Sequence, residues 1–213
     1  MGQGIEPRRR GLAIECVDGG IAEDITVVGV TMRDIRNAPV FLRLGARLRG
    51  PPGQPISVLR RVIISNVTCD APANDMPVII SGIPDHPVED VLMNDIRLLQ
   101  KGGGTAAMGA ATPPEEVRQY PEPSMFGVLP AQGLFIRHAK KLAFTNVDIQ
   151  SMAADARPCC WVEDADEADF LHLSLPEKRA DAAFLLKAAH RIRIWGSGRI
   201  PDTSLDFVVS RRI

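Results

Sequence analysis

One phrase recurs along this chain, and a sequence that repeats a phrase tends to place like residues against like. It reads EDITVVGVTM from Glu23, LRRVIISNVTC from Leu59, EDVLMNDIRLL from Glu89 and KKLAFTNVDI from Lys140, with weaker echoes in EADFLHLSL from Glu167 and AHRIRIWGSG from Ala189. The shared form is two polar residues, then apolar-x-apolar, a polar pair often ending in Asn, Asp or Gly, then apolar-x-apolar again. The apolar positions are Ile25, Val27, Val30 and Met32; Val62, Ile64, Val67 and Cys69; Val91, Met93, Ile96 and Leu98; Leu142, Phe144, Val147 and Ile149. Alternation on each side of the polar pair predicts two short strands, and the pair itself predicts a corner between them.

A second strand type accompanies the phrase: PVFLRLG from Pro39, PVIISGI from Pro77, GLFIRHA from Gly133, CCWVED from Cys159 and AAFLLKA from Ala182. One repeat is therefore a coil of about three short strands with tight corners. Equivalent positions run Ile25, Val62, Val91, Leu142, Phe170 and Ile192, with uneven intervals that place insertions at corners, as a stack of coils tolerates. Pro, Gly and β-branched residues punctuate the chain too often for long helices. The best helical windows are Pro114 to Gln119 and part of Lys178 to Ala189. A β-sandwich shares the short strands but does not require the phrase to recur. The expected fold is all-β, a right-handed parallel β-helix occupying residues 1–213 as a single domain, with a long corner insertion at about 101–130.

The chain has 213 residues, 45% hydrophobic and 24% charged, with a formal charge of -1. That balance gives no pull toward nucleic acid or anionic lipid. No apolar stretch approaches the ~20 residues of a membrane span, and the charged opening MGQGIEPRRR is not followed by a leader's apolar segment. As written, the sequence reads as a soluble cytoplasmic protein. Cys16, Cys69, Cys159 and Cys160 show no metal-ligand spacing and read as buried thiols. No metal and no cofactor is expected.

Three longer phrases carry a resemblance: RGLAIECVDGGIAEDITVVGVTMRDIRNAPVFLRLGARLRGP from Arg10, ISGIPDHPVEDV from Ile80 and YPEPSMFGVLPAQGLFIRH from Tyr120. Over about residues 10–175 the chain resembles the C-terminal half of glycoside hydrolase family 28, the polygalacturonase-like group. That resemblance implies a parallel β-helix, relatives that are secreted or periplasmic, and inverting hydrolysis of pectic polysaccharide by paired aspartates. The family's Asn-Thr-Asp, Asp-Asp, Gly-His-Gly and Arg-Ile-Lys motifs do not occur here. Arg191-Ile192-Arg193 comes nearest to the last, but lies in the final repeat and reads as surface charge beside a strand. The expectation is a family-28-like, carbohydrate-related protein lacking the catalytic aspartates, or alternatively a non-catalytic carbohydrate-binding or assembly module.

Candidate site residues are chosen by their chemistry. Glu15, Asp18 and Glu122 are the available carboxylates for acid-base work; Asp18 before Gly19-Gly20 is also an ordinary turn former. Arg43, with Arg47 and Arg49, offers a fork suited to galacturonate, or else a solvated basic edge. The insertion begins with a stretch that reads as mobile, KGGGTAAMGAATPP, and continues with Tyr120, Glu122 and Phe126, which fold over a groove or simply anchor the loop. His86, Arg137 and His138 complete the substrate-binding candidates. The acidic run Glu163, Asp164, Asp166, Glu167 and Asp169 lacks a calcium loop's glycine spacing and reads as a solvated corner. Finally, MGQGIEPRRR is too short to cap a first coil, which predicts a homo-oligomer formed through the exposed N-terminal coil, or membership of a longer chain.

Overall fold

The computed structural model describes residues 11–176 and 182–213. They are nearly all β: β1 (Leu12–Cys16), β2 (Ile21–Arg33), β3 (Val40–Leu44), β4 (Val58–Ala71), β5 (Val78–Ser81), β6 (Val88–Gln100), β7 (Leu134–Ser151), β8 (Cys160–Leu171), β9 (Phe184–Trp195) and β10 (Thr203–Arg212). All belong to one 10-stranded sheet that does not close. Short strands β1, β3 and β5 pair in parallel and continue onto the first part of β7. Long strands β2, β4 and β6 pair in parallel and continue onto its second part. β8 then follows β7 from Leu134 to Thr145, β9 follows β8, and β10 alone runs antiparallel, against β9.

The repeated phrases lie in register. Ile25, Val62, Val91, Leu142, Ala168 and Ile192 form one column, and Val27, Ile64, Met93, Phe144, Phe170 and Ile194 another. This corrects the expected place of Phe170, which aligns with Phe144 rather than with Leu142. The small buried Ala168 holds the equivalent position, and its weak apolar signal hid it. Phe144 and Phe170 stack with centroids 5.0 Å apart, and Phe184 meets Phe170 edge-on at 5.0 Å. Burial of each such ring contributes about 1.5–3 kcal/mol.

The expected corners are single residues inside continuous strands. Asn66, Asp95 and Asn146 have φ between 54° and 56°, with Gly29 at 73° in the same column. One left-handed residue turns the backbone, so apolar side chains three apart, Ile64 and Val67 for example, both enter the core. A second left-handed column precedes the apolar run: Asp24, Arg61, Asp90, Lys141, Glu167 and Arg191. Asn and Asp tolerate this conformation because their short side chains bond locally, and Asp95 accepts from Asn94 Nδ2 at 3.0 Å and Asn146 Nδ2 at 2.6 Å.

The helix expected over Pro114 to Gln119 does not form, and the one expected within Lys178 to Ala189 lies partly outside the described residues. Residues 114–119 hold turns, residues 177–181 lie outside the described residues, and 184–189 open β9. Among the described residues the helical pieces are α1 (Ala106–Gly109) and a 3-10 turn (Pro123–Phe126), both inside the β6–β7 connection. Its first half, expected to be mobile, is fastened: Thr105 caps α1, Gly103 N–H donates to Ala154 O at 3.0 Å, and Gly104 N–H to Asp155 Oδ2 at 2.9 Å. All four cysteines are free and buried, as expected. Burial pushes the Cys69 thiol up to about 11, with Asp70 adding to the effect.

Candidate functional site

The short strands turn one set of side chains inward and the alternate set outward. The outward set makes two columns, Phe41-Ile79-Phe135-Trp161-Leu185 and Glu15-Arg43-Ser81-Arg137-Glu163-Lys187. The first is apolar and would be left wet. The β6–β7 connection returns across it as a strap, and Phe126, Leu129 and Ala131 join Phe41, Ile79, Phe135 and Trp161 in a second, smaller core.

Buried arginines hold that strap down. Arg43 is 1% exposed. Its Nη1 donates to Ser81 Oγ at 2.8 Å and Gly82 O at 2.7 Å, and its Nη2 to Glu115 O at 2.9 Å and Glu116 O at 3.0 Å. Arg137 donates from Nη1 to Pro113 O at 2.8 Å and from Nη2 to Pro114 O at 2.7 Å. The Phe126 ring lies between the two guanidiniums, 5.3 Å from Arg43 Cζ and 5.5 Å from Arg137 Cζ, where ring faces favour cations. Burial lowers Arg43 to about 10, with Arg137's charge adding to the effect, and burial lowers Arg137 as well. The solvated basic edge is therefore not what forms at Arg43, because the strap's proline-rich carbonyls lie over that strand and need donors.

A third arginine anchors the strap's ends. Arg157 grips Asp155 through Nε at 3.0 Å and Nη2 at 2.8 Å while its Nη1 reaches toward Leu129 O at 3.4 Å. Burial alone would raise Asp155, but the Arg157 fork and the backbone N–H groups of Arg157 and Gly104 outweigh it and leave the carboxyl lowered.

At the strap's rim stands the one arrangement with proton-transfer character among the described residues. His138, nearly buried and left-handed at φ 51°, has Nδ1 2.6 Å from Asp164 Oδ2 and Nε2 2.9 Å from Glu115 Oε2. Glu115 Oε1 also lies 3.2 Å from Arg137 Nη1. Which ring nitrogen donates is set by the tautomer. The Asp164 and Glu115 side chains are 60% and 40% exposed.

The structure thus brings Arg43, Phe126, Arg137 and His138 together and places the other candidates elsewhere. Asp18 is clasped by Arg47 through both oxygens and accepts from Arg49 N–H at 3.1 Å, while Arg47 lies over exposed Tyr120 with Cζ 5.4 Å from the ring centroid. Those bonds, Arg47's first, hold the Asp18 carboxyl down at about 2. Glu122 accepts from Asn37 Nδ2 at 2.7 Å. Glu15 sits in β1 beside Arg43. His86 closes a turn by pairing with Ile83, and its carbonyl approaches Gly82 so closely that a Cβ there would lie 2.6 Å away. Sequence reasoning missed Glu115, Asp155, Arg157 and the role of Asp164; the proline pair before Glu115-Glu116 was the available signal that a buried donor would be needed. Among the described residues, no group of His, Cys, Asp and Glu could hold a metal ion, and no helix is long and apolar enough to cross a membrane. No family model, no curated protein and no solved structure matches the chain.

Proposed function

We propose that this chain is a right-handed parallel β-helix akin to the polygalacturonase-like glycosidases, and that it binds pectic carbohydrate without cleaving it. The observation that carries the non-hydrolytic reading is the condition of Asp18. Inverting hydrolysis needs an acid that keeps its proton near neutral pH, and a second carboxylate with room for water between them. Both Asp18 oxygens are taken by Arg47, and one also accepts from Arg49 N–H, so this carboxylate is engaged with its own chain instead of facing a substrate. Arg43 and Arg137 point their forks at strap carbonyls, so neither meets a substrate carboxylate.

Support for the helix reading comes from the recurring phrase and from parallel registers that carry each repeat onto the next, about 4.8 Å per strand. The carbohydrate reading rests on the three long phrases that resemble family 28, together with a shallow groove of about 460 Å³ across β2, β4, β6 and β7. Its lining includes Thr26, Ile63, Leu92 and Ala143, with the charged residues Asp24, Arg61, Asp90 and Lys141 along one side. Apolar side chains beside a row of charged and hydroxyl-bonding groups suit the face and the polar rim of a sugar unit. Affinity electrophoresis through polygalacturonate tests this. Retarded migration that is reduced by Lys141→Glu supports the reading; migration equal to that in a neutral gel contradicts it.

A second reading, an enzyme with replaced acids, has one observation in its favour: Glu115 and Asp164 flank His138 with both carboxylates exposed. Reducing-end release abolished by Glu115→Gln or Asp164→Asn would establish it.

A further inference from the structure

Two tryptophans occur in the chain. Trp161 is buried in the second core, whereas Trp195, the last residue of β9, is 48% exposed. That exposure does not come from an open sheet edge. Leu171 of β8 stands in register on one side, and on the other β10 begins, with Thr203 opposite Ile194 and Ser204 opposite Arg193. Trp195 ends an outward column, Val28-Ser65-Asn94-Thr145-Leu171-Trp195, beside a second one, Thr26-Ile63-Leu92-Ala143-Asp169-Arg193. The first four residues of that second column line the groove described above, so groove and indole share one face.

The backbone that carries the indole is held from three directions. Trp195 O accepts from His172 N–H at 2.9 Å and from Ser197 Oγ at 3.2 Å, and Gly196 N–H donates to Asp202 Oδ1 at 2.8 Å. Gly196 is left-handed at φ 60°, and a Cβ there would lie 2.6 Å from His172 Nδ1, so the bend after the indole closes directly against that ring. Two residues before Trp195 on the same face, Arg193 reaches Asp169 through Nε, at 2.6 Å, and Nη2, which leaves Nη1 to donate elsewhere. Among the described residues the indole N–H has no hydrogen-bond partner. An exposed ring on a fixed backbone, with a donor fork beside it, loses little freedom when a flat ligand lies on it.

We infer that Trp195 is a second contact for the carbohydrate chain, its indole stacked on one sugar ring while Arg193 Nη1 donates to a hydroxyl or carboxylate oxygen on that ring's rim. The inference rests on the carbohydrate reading above and extends it from a groove to a path. Between the strand of Leu92, in the groove, and the strand of Trp195 lie three strand spacings, about 14 Å. A single sugar does not cover that length, so the ligand is an extended oligosaccharide laid along the stack of strands.

The test follows tryptophan emission of the intact protein under acrylamide quenching as a galacturonate tetramer is added. Trp161 is 2% exposed, so the change reports Trp195. Bound tetramer should cut quenching about twofold, saturably, whereas monomeric galacturonate at the same concentration should leave it unchanged. In a polygalacturonate gel, Trp195→Ala should lose about fivefold in affinity and Trp195→Phe should keep most of it. The quenching measurement on the unaltered protein needs no variant to fold. Retardation of the unaltered protein with quenching indifferent to the tetramer, equal protection by the monomer, or equal retardation of Trp195→Ala would overturn this inference and leave the carbohydrate reading standing. Absence of any retardation would overturn both.

Discussion

Arg61 lies over Asp24 with Nε 2.6 Å from Oδ1 and Nη2 2.9 Å from Oδ2, and both residues hold left-handed backbones, φ 54° and 59°. The cross-strand ladder skips both positions, passing from Glu23–Arg60 to Ile25–Val62. At each bend the side chain projects outward beside its counterpart on the next strand, so whatever stands there meets its neighbour charge to charge. A one-residue slip would set polar residues into the core and also break this alternation.

Reversal of one member should therefore be felt more than its deletion. Arg61→Glu places like charge against Glu23, Asp24, Glu89 and Asp90 and lowers Tm in low salt, while Arg61→Ala changes it little, because exposed pairs are individually weak. Adding Asp24→Arg to Arg61→Glu should restore part of the loss. Melting curves at low and high salt check this; screening should shrink the difference.

The left-handed column at Asn66 makes a conformational prediction. Asn66→Val forces a β-branched residue into φ 54° and should cost about 1–2 kcal/mol, whereas Asn66→Gly should be near neutral. Urea unfolding of both variants measures the gap.

Removing the buried Arg43 fork leaves strap carbonyls without donors. Arg43→Met should destabilise the protein by about 3 kcal/mol or more, and Arg43→Lys should not rescue it, since an ammonium cannot span the same acceptors. Hydrogen exchange should quicken in residues 113–126 before the long strands respond.

How much of this is legible in sequence divides by range. The parallel pairing of like phrases follows from recurrence alone, and the inward residues of the four strong phrases can be read from the letters, because a two-residue alternation interrupted by a polar pair has one arrangement that buries both halves. Ala168 escapes because a methyl group gives little apolar signal beside Phe170. The charge alternation is present in the letters ED, RR, ED, KK, DE and HR but acquires meaning only once neighbours are known. Arg43 reads as an edge residue because nothing local says that residues 113–116, far along the chain, return to cover it. Of the two readings of this part of the insertion, Phe126 and Leu129 take the anchoring one, packed in the second core.

Acid should loosen the β1–β3 end through Asp18. Its carboxyl is lowered to about 2 in the folded chain, against about 3.9 when unfolded. The stabilisation is complete above the unfolded value and is lost as pH falls through about 2, because there the folded state must take up the proton it excluded. Tm should fall between about pH 4 and 2, and Asp18→Asn should flatten that part of the profile.

The most direct measurement of the functional account is reducing-end release from polygalacturonate by the purified chain, with the same mixture run for retardation in a polygalacturonate gel. Retardation with no release above a heat-treated blank is the predicted result. Release that disappears on Glu115→Gln or Asp164→Asn would contradict the account and make the His138 rim a catalytic centre.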